Sequence, residues 1–243
     1  YHDMYYMNPP AKDLSKIASS DKVKKVQKDF EATHVRPQRL MKTLFTDEAY
    51  VKANVDEARL MRRLFDLACN MQSHDTDMQL YSLFTDEECY DLWSCNNLYW
   101  YLTHACSPVT DGLMPYREAD LLRNILDRAD AALKEGKNQA TLRFGHESCL
   151  LPLVALLELN HYGESYPDVE KLSEQWRAYD IFPMASNVQF VFFHKKGSND
   201  VLVKVLLNEK EAKLPVKTDV APYYHWKDVE SYYREKLDKY QHI

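Results

Sequence analysis

Long apolar runs are missing from this chain of 243 residues. No stretch approaches the roughly 18 consecutive apolar residues that a bilayer-spanning helix requires, and no secretory leader pattern opens it. A membrane is therefore not an expected partner. Blocks of charge are missing too: 31 Lys and Arg stand against 37 Asp and Glu, a formal net charge of -6. With no run of five or more like charges, nothing argues for a nucleic-acid partner. The five cysteines, Cys69, Cys89, Cys95, Cys106 and Cys149, lack the paired spacing of a zinc site. Their odd number leaves at least one unpaired within the chain, with room for one or two disulfides near Cys89, Cys95 and Cys106. Glycine is scarce, at five residues, so a glycine between regular elements is informative. What is present is ordinary for a folded protein, 45% apolar and 28% charged. At this length that suffices for one substantial α/β domain, or a core with an inserted subdomain.

The opening YHDMYYMNPP reads as an extended segment ended by its two prolines. Ile17, Val23, Val26 and Phe30 then share a face of a lysine-rich helix, and His34-Val35-Arg36-Pro37 marks the next break. From residue 39 to about Cys106 the pattern is helical, with two LFTDE repeats at residues 44–48 and 83–87 whose Thr-Asp-Glu order suits a helix start. Leu121, Leu122, Ile125, Leu126, Ala129 and Leu133 then keep a 3.6-residue period from about Arg117 to Lys134, with Gly136 placed to close the helix. A strand ATLRF follows, then a corner at Gly145, then a helix from about Ser148 to Leu159 whose Pro152 is expected in or beside the first turn. The apolar runs VQFVFFH and VLVKVLLN around KKGSND predict a hairpin covered on both faces, and WKDVESYYREKL an amphipathic helix. The expected layout is a start of the core over 1–35, a helical cap over 36–110, and an α/β core over 111–243.

The corner LRFGHES carries the chemistry. A ligand beyond the carboxyl end of a strand, at the start of the next helix, meets unpaired N–H groups and the positive end of a helix dipole. An imidazole there can donate to a phosphate oxygen. A carboxyl whose pKa is raised by adjacent negative charge can protonate a leaving oxygen. On spacing alone, however, the favoured reading is that His146 and Glu147 serve only to start the helix.

The run LRFGHES followed by LLPLVALL resembles the C-terminal motif of one branch of the histidine phosphatase superfamily. That branch holds histidine acid phosphatases, phytases and multiple inositol polyphosphate phosphatases, and there the motif reads His-Asp-Thr or His-Ala-Glu-Thr. The resemblance implies that His146 binds the transferred phosphate, that Glu147 takes the Asp place as proton donor, and that Ser148 takes the Thr place. In the His-Ala-Glu form the acid lies one residue later than Glu147. HDMYYMN, the helical middle and VLVKVLLNEKEAKLP are similar to bacterial members of the inositol polyphosphate phosphatase group, so the resemblance covers most of the chain. It implies a histidine-phosphatase-type α/β core with a mostly helical cap, no cofactor, and periplasmic or secreted location. Arg143, just before the corner, joins Gly145 and Ser148 as a candidate substrate contact.

Family members also carry an Arg-His-Gly-x-Arg-x-Pro motif whose histidine attacks phosphorus, and no Arg-His-Gly occurs here. The chain begins at Tyr1 rather than Met, and the expectation is that the nucleophile lies in an upstream segment needed to complete the site. On this account the chain is the C-terminal portion of a phosphomonoesterase acting on inositol polyphosphates or similar esters. The alternative is a relative that binds phosphorylated ligands, or serves as a scaffold, without turnover. Metal-assisted hydrolysis has little support, because His74-Asp75-Thr76-Asp77 has the character of a polar loop.

Overall fold

The computed structural model describes residues 9–240; the expected extended opening at residues 1–8 lies outside them. The two prolines begin a helix rather than break the chain, since Pro at the first helical positions gives up no hydrogen bond. This is α1 (Pro9–Ala18), followed by α2 (Asp21–His34), α3 (Gln38–Leu44), α4 (Glu48–Asn54), α5 (Glu57–Asn70), α6 (Asp86–His104) and α7 (Ala119–Glu135). Then come α8 (Glu147–Leu156), α9 (Leu172–Gln175), α10 (Ala178–Ile181), β1 (Val188–His194), β2 (Val201–Leu207), β3 (Lys210–Glu211), β4 (Tyr224–His225) and α11 (Trp226–Tyr240). The lysine-rich helix is thus interrupted: a turn at Ser19-Ser20 separates Ile17 from Val23 and Phe30.

The chain divides into two compact units, one spanning Lys24–Tyr99 and the other the described residues up to Val23 together with Trp100 onward. The smaller unit is all helical. Leu40, Met41, Val51, Met61, Phe84 and Leu92 form its core. Both LFTDE repeats start helices, with different caps. In the first, Asp47 accepts from Tyr50 N at 2.9 Å. In the second, Thr85 Oγ1 accepts from Glu88 N and Glu88 Oε2 accepts from Thr85 N, a reciprocal capping box. Arg62 pairs with Glu31, and Arg63 with Asp66 at 3.4 Å.

All five cysteines are free thiols. Cys89 and Cys95 lie on one helix six residues apart, a rise of about 9 Å, beyond the roughly 7 Å separation a disulfide tolerates.

In the larger unit the sheet is small and antiparallel, ordered β1-β2-β3 with β4 also on β2. The hairpin forms as expected, Val188 opposite Leu207 and His194 opposite Val201. It is not covered on both faces: β2 buries Val203, Val205 and Leu207 in alternation, while β1 is half-buried and exposes Phe193. On this sheet α11 packs against β2, with Phe192 edge-on to Trp226 at 4.9 Å.

At the end of β2's partner β4, His225 Nδ1 meets the Asp200 carboxylate at 3.0 Å and Nε2 meets Asp219 at 3.0 Å. The Asp200 bond first, then the Asp219 bond, raises its pKa above 6.5. A raised folded-state pKa gives stability that is complete below the unfolded value and lost as pH rises through the folded one. The thermal midpoint of wild type should therefore fall relative to His225→Asn as pH goes from 6 to 9. Parallel midpoints in the two proteins would refute the clamp.

Gly136 closes α7 in the left-handed region (φ 65°). A Cβ there would meet no atom within 4 Å, so Gly136→Ala isolates the backbone cost. Denaturant titration should show a loss of about 1 kcal/mol.

Candidate functional site

Between α7 and α8, residues 137–146 form no regular element and join no ladder among the described residues, which corrects the expected strand ATLRF. Leu142 is 76% exposed and Phe144 94%. A strand is defined by partners elsewhere in the chain, and none of the described residues supplies one here. Arg143 Nη2 donates to Asn124 Oδ1 on α7 at 2.8 Å, tying the segment to that helix.

The segment ends at Gly145, where a Cβ would meet nothing within 4 Å, so this side of the corner is open. His146 is the N-cap of α8 with extended dihedrals (φ -111°, ψ 165°), and its side chain makes no capping bond. Its carbonyl does the capping work, accepting from Cys149 N at 3.0 Å and Leu150 N at 3.1 Å. The imidazole is exposed and not consumed by the helix start. Glu147 is the first residue of α8, also exposed, and Ser148 the second, half-buried. The structure thus brings Gly145, His146, Glu147 and Ser148 to one helix N-terminus, where N–H groups lack intrahelical partners and anions are favoured. Arg143 stands three residues before the cap on the same segment.

Pro152 is the sixth residue of α8, in the second turn and not in or beside the first as expected. Having no N–H, it leaves the Ser148 carbonyl without its usual intrahelical partner. The helix tolerates this because it is anchored elsewhere: Leu151, Val154, Ala155, Leu156 and Leu157 are all buried. Its far end is held by α11, with Tyr233 Oη donating to Leu157 O at 2.8 Å and Lys236 Nζ to Leu156 O at 2.7 Å. Those contacts satisfy the carbonyl end and leave the N–H end facing outward.

Beneath the first turn of α8 lies the short 3-10 helix Met114–Glu118, packed against it. Its last residue, Glu118, is 0% exposed, and neither carboxylate oxygen has a well-formed hydrogen bond. Burial pushes its pKa up to about 7, offset in part by Arg117 and by the Cys149 thiol. Arg117 Nε is also buried without a partner. His104, buried at the end of α6, is driven down to about 4 by burial and then by Arg117, and its Nδ1 lies 2.7 Å from Thr103 Oγ1. Sequence reasoning passed over Glu118. The signal was available: Glu118, Leu122 and Leu126 stand at i, i+4 and i+8, and both leucines face the core.

His74 to Asp77 lies in an exposed loop.

A model of the family described as "Histidine phosphatase superfamily (branch 2)" matches residues 3–208. Multiple inositol polyphosphate phosphatase 1 of Homo sapiens is 28% identical over 134 residues, which are 50% of this chain and 27% of that protein. Among solved structures, multiple inositol polyphosphate phosphatase of Bifidobacterium longum in complex with phosphate matches with a TM-score of 0.63 at 19% identity, covering 96% of this chain and 57% of that one. The same enzyme in complex with inositol hexasulfate matches at a TM-score of 0.58, covering 95% and 54%. The chain thus spans about half the length of those structures and about a quarter of the human protein. The likeness to the two structures carries the α/β fold with its small antiparallel sheet.

Proposed function

Because this chain belongs to branch 2 of the histidine phosphatase superfamily, we propose that residues 143–148 are one half of a phosphomonoesterase site. His146 holds the transferred phosphate, Glu147 is the proton donor, and Arg143, Gly145 and Ser148 line the substrate. The observation that carries this assignment is the exposed, uncapping imidazole of His146 beside Glu147 at the open N-terminus of α8.

The chemistry is a double displacement. A histidine nitrogen bonds to phosphorus while the P–O ester bond breaks, and Glu147 gives its proton to the departing alkoxide. Water then attacks the phosphohistidine, its proton passing to the Glu147 carboxylate, and inorganic phosphate leaves. The attacking histidine belongs to a segment of the same protein outside this chain, upstream of it: the sequence holds no Arg-His-Gly, and the chain spans only part of its relatives. The names of those relatives favour inositol polyphosphates or similar esters as substrates, and the family's usual export favours a periplasmic or secreted location. The lack of Arg-His-Gly also favours a second reading, a relative that binds such ligands without turnover.

The test is calorimetric titration of inorganic phosphate and of inositol hexakisphosphate into this chain. Binding that His146→Ala weakens by tenfold or more is expected. Binding unchanged by that substitution would remove the assignment.

A further inference from the structure

Glu118 has no role in the chemistry above, yet it is the most deeply buried carboxyl next to the corner. It is 0% exposed, on a turn packed against α8, with both oxygens unsatisfied. The group it meets on α8 is the Cys149 thiol. Cys149 is the third residue of that helix, and its N–H is bonded to the His146 carbonyl at 3.0 Å. Glu118 is therefore one side chain removed from the turn that presents His146 and Glu147.

A buried carboxyl without hydrogen bonds resists ionisation, since a charge there is neither solvated nor paired. When it does ionise, its charge acts through a medium of low effective dielectric and is felt several ångströms away. The groups facing it are few. Arg117 on its own turn favours the charged form, and the Cys149 thiol on α8, a weak donor, helps slightly. His104 bears on the cluster through Arg117. No group on the described parts of α1 or α7, which also pack on this turn, contributes.

We propose that Glu118 is a proton-controlled gate on anion binding at the His146 corner. Its neutral carboxyl lets the corner accept a phosphate or sulfate group, and its carboxylate repels one and neutralises Arg117. The proposal rests on the phosphate-site assignment above. The gate operates near neutral pH, where burial sets the proton affinity of Glu118, so anion binding is favoured on the acid side. Cys149 reports the same event: burial, then the Glu118 charge, raises its pKa to about 11.

The experiment titrates sulfate, whose charge is constant from pH 5.5 to 8, into the whole chain and into Glu118→Gln. Affinity in wild type should weaken over that interval by about tenfold more than in the variant, one charge's worth of repulsion at close range. Identical pH dependence in the two proteins overturns the gate while leaving the site assignment intact. No sulfate binding at any pH, in either protein, removes the site assignment and the gate with it. Glu118→Gln should also gain thermal midpoint on wild type between about pH 4.5 and 7. A carboxyl with a raised folded-state pKa costs stability over that interval as its unfolded form ionises first. Should the variant not fold, the alkylation rate of Cys149 in wild type, followed on its own peptide, decides. A break in its pH profile near 7 supports the gate, and a profile without a break overturns it.

Discussion

With Glu147 as the proposed proton donor, Glu147→Gln in a form of the protein that turns over is expected to lower turnover by roughly two to four orders of magnitude, the usual contribution of a positioned general acid, while phosphate binding changes by less than about threefold. The asymmetry follows from geometry. Glu147 is the first residue of α8, with its side chain in solvent and outside the helix's own hydrogen bonding. The amide keeps the shape and the dipole of that turn but has no proton to give to a leaving oxygen. His146→Ala differs, because on the proposed assignment the imidazole donates to the phosphate in the ground state as well as in the transition state, so both affinity and turnover are expected to fall. The pair separates donor from binder by the split between kcat and KM. Glu147→Gln with wild-type activity across the acidic range would remove the donor role.

The second large effect is on stability. Leu151→Ala should cost about 2–5 kcal/mol, the range for a buried leucine reduced to a methyl, visible as a fall in the denaturant midpoint. Leu151 is fully buried in the run that anchors α8, and besides the Met114–Glu118 turn packed beneath it the start of α8 is weakened: Pro152 removes one of its backbone bonds, and its first residue lies in solvent. The comparison is Phe144→Ser, in the segment before the corner. Phe144 is 94% exposed, so that substitution should change stability by no more than about 0.5 kcal/mol. Similar costs for the two would mean that the corner is supported from residues 140–146 and not from α8.

The contrast between those two residues also shows what the sequence could and could not display. The helix ending at Gly136 and the hairpin around KKGSND were legible because their causes are local: a 3.6-residue apolar period with a glycine past its end, and two β-prone runs around a turn. The corner was legible as a helix start because His146-Glu147 stands directly before an apolar run. The segment ATLRF was not, since its alternation of residues suits a strand while pairing depends on a partner elsewhere. Pro152 lies one residue deeper than expected, because α8 starts at Glu147 and not at about Ser148, a shift within the one or two residues by which helix boundaries vary but enough to take it from beside the first turn into the helix body. Glu118 was missed because a glutamate at the start of a helix looks like a favourable first-turn acid, and only the packing of the Met114–Glu118 turn on α8 puts it underneath.

The central claim is that His146 and Glu147 are half of a phosphatase site. The most direct test is inorganic phosphate release from phytate and from an aryl phosphate, by this chain alone and by the chain joined to the upstream segment of its own protein. The account predicts no release by the chain alone, release by the joined form, and its loss in the joined Glu147→Gln variant. Phytate binding by the joined form with no release would contradict it and establish a relative that keeps the anion corner without the chemistry.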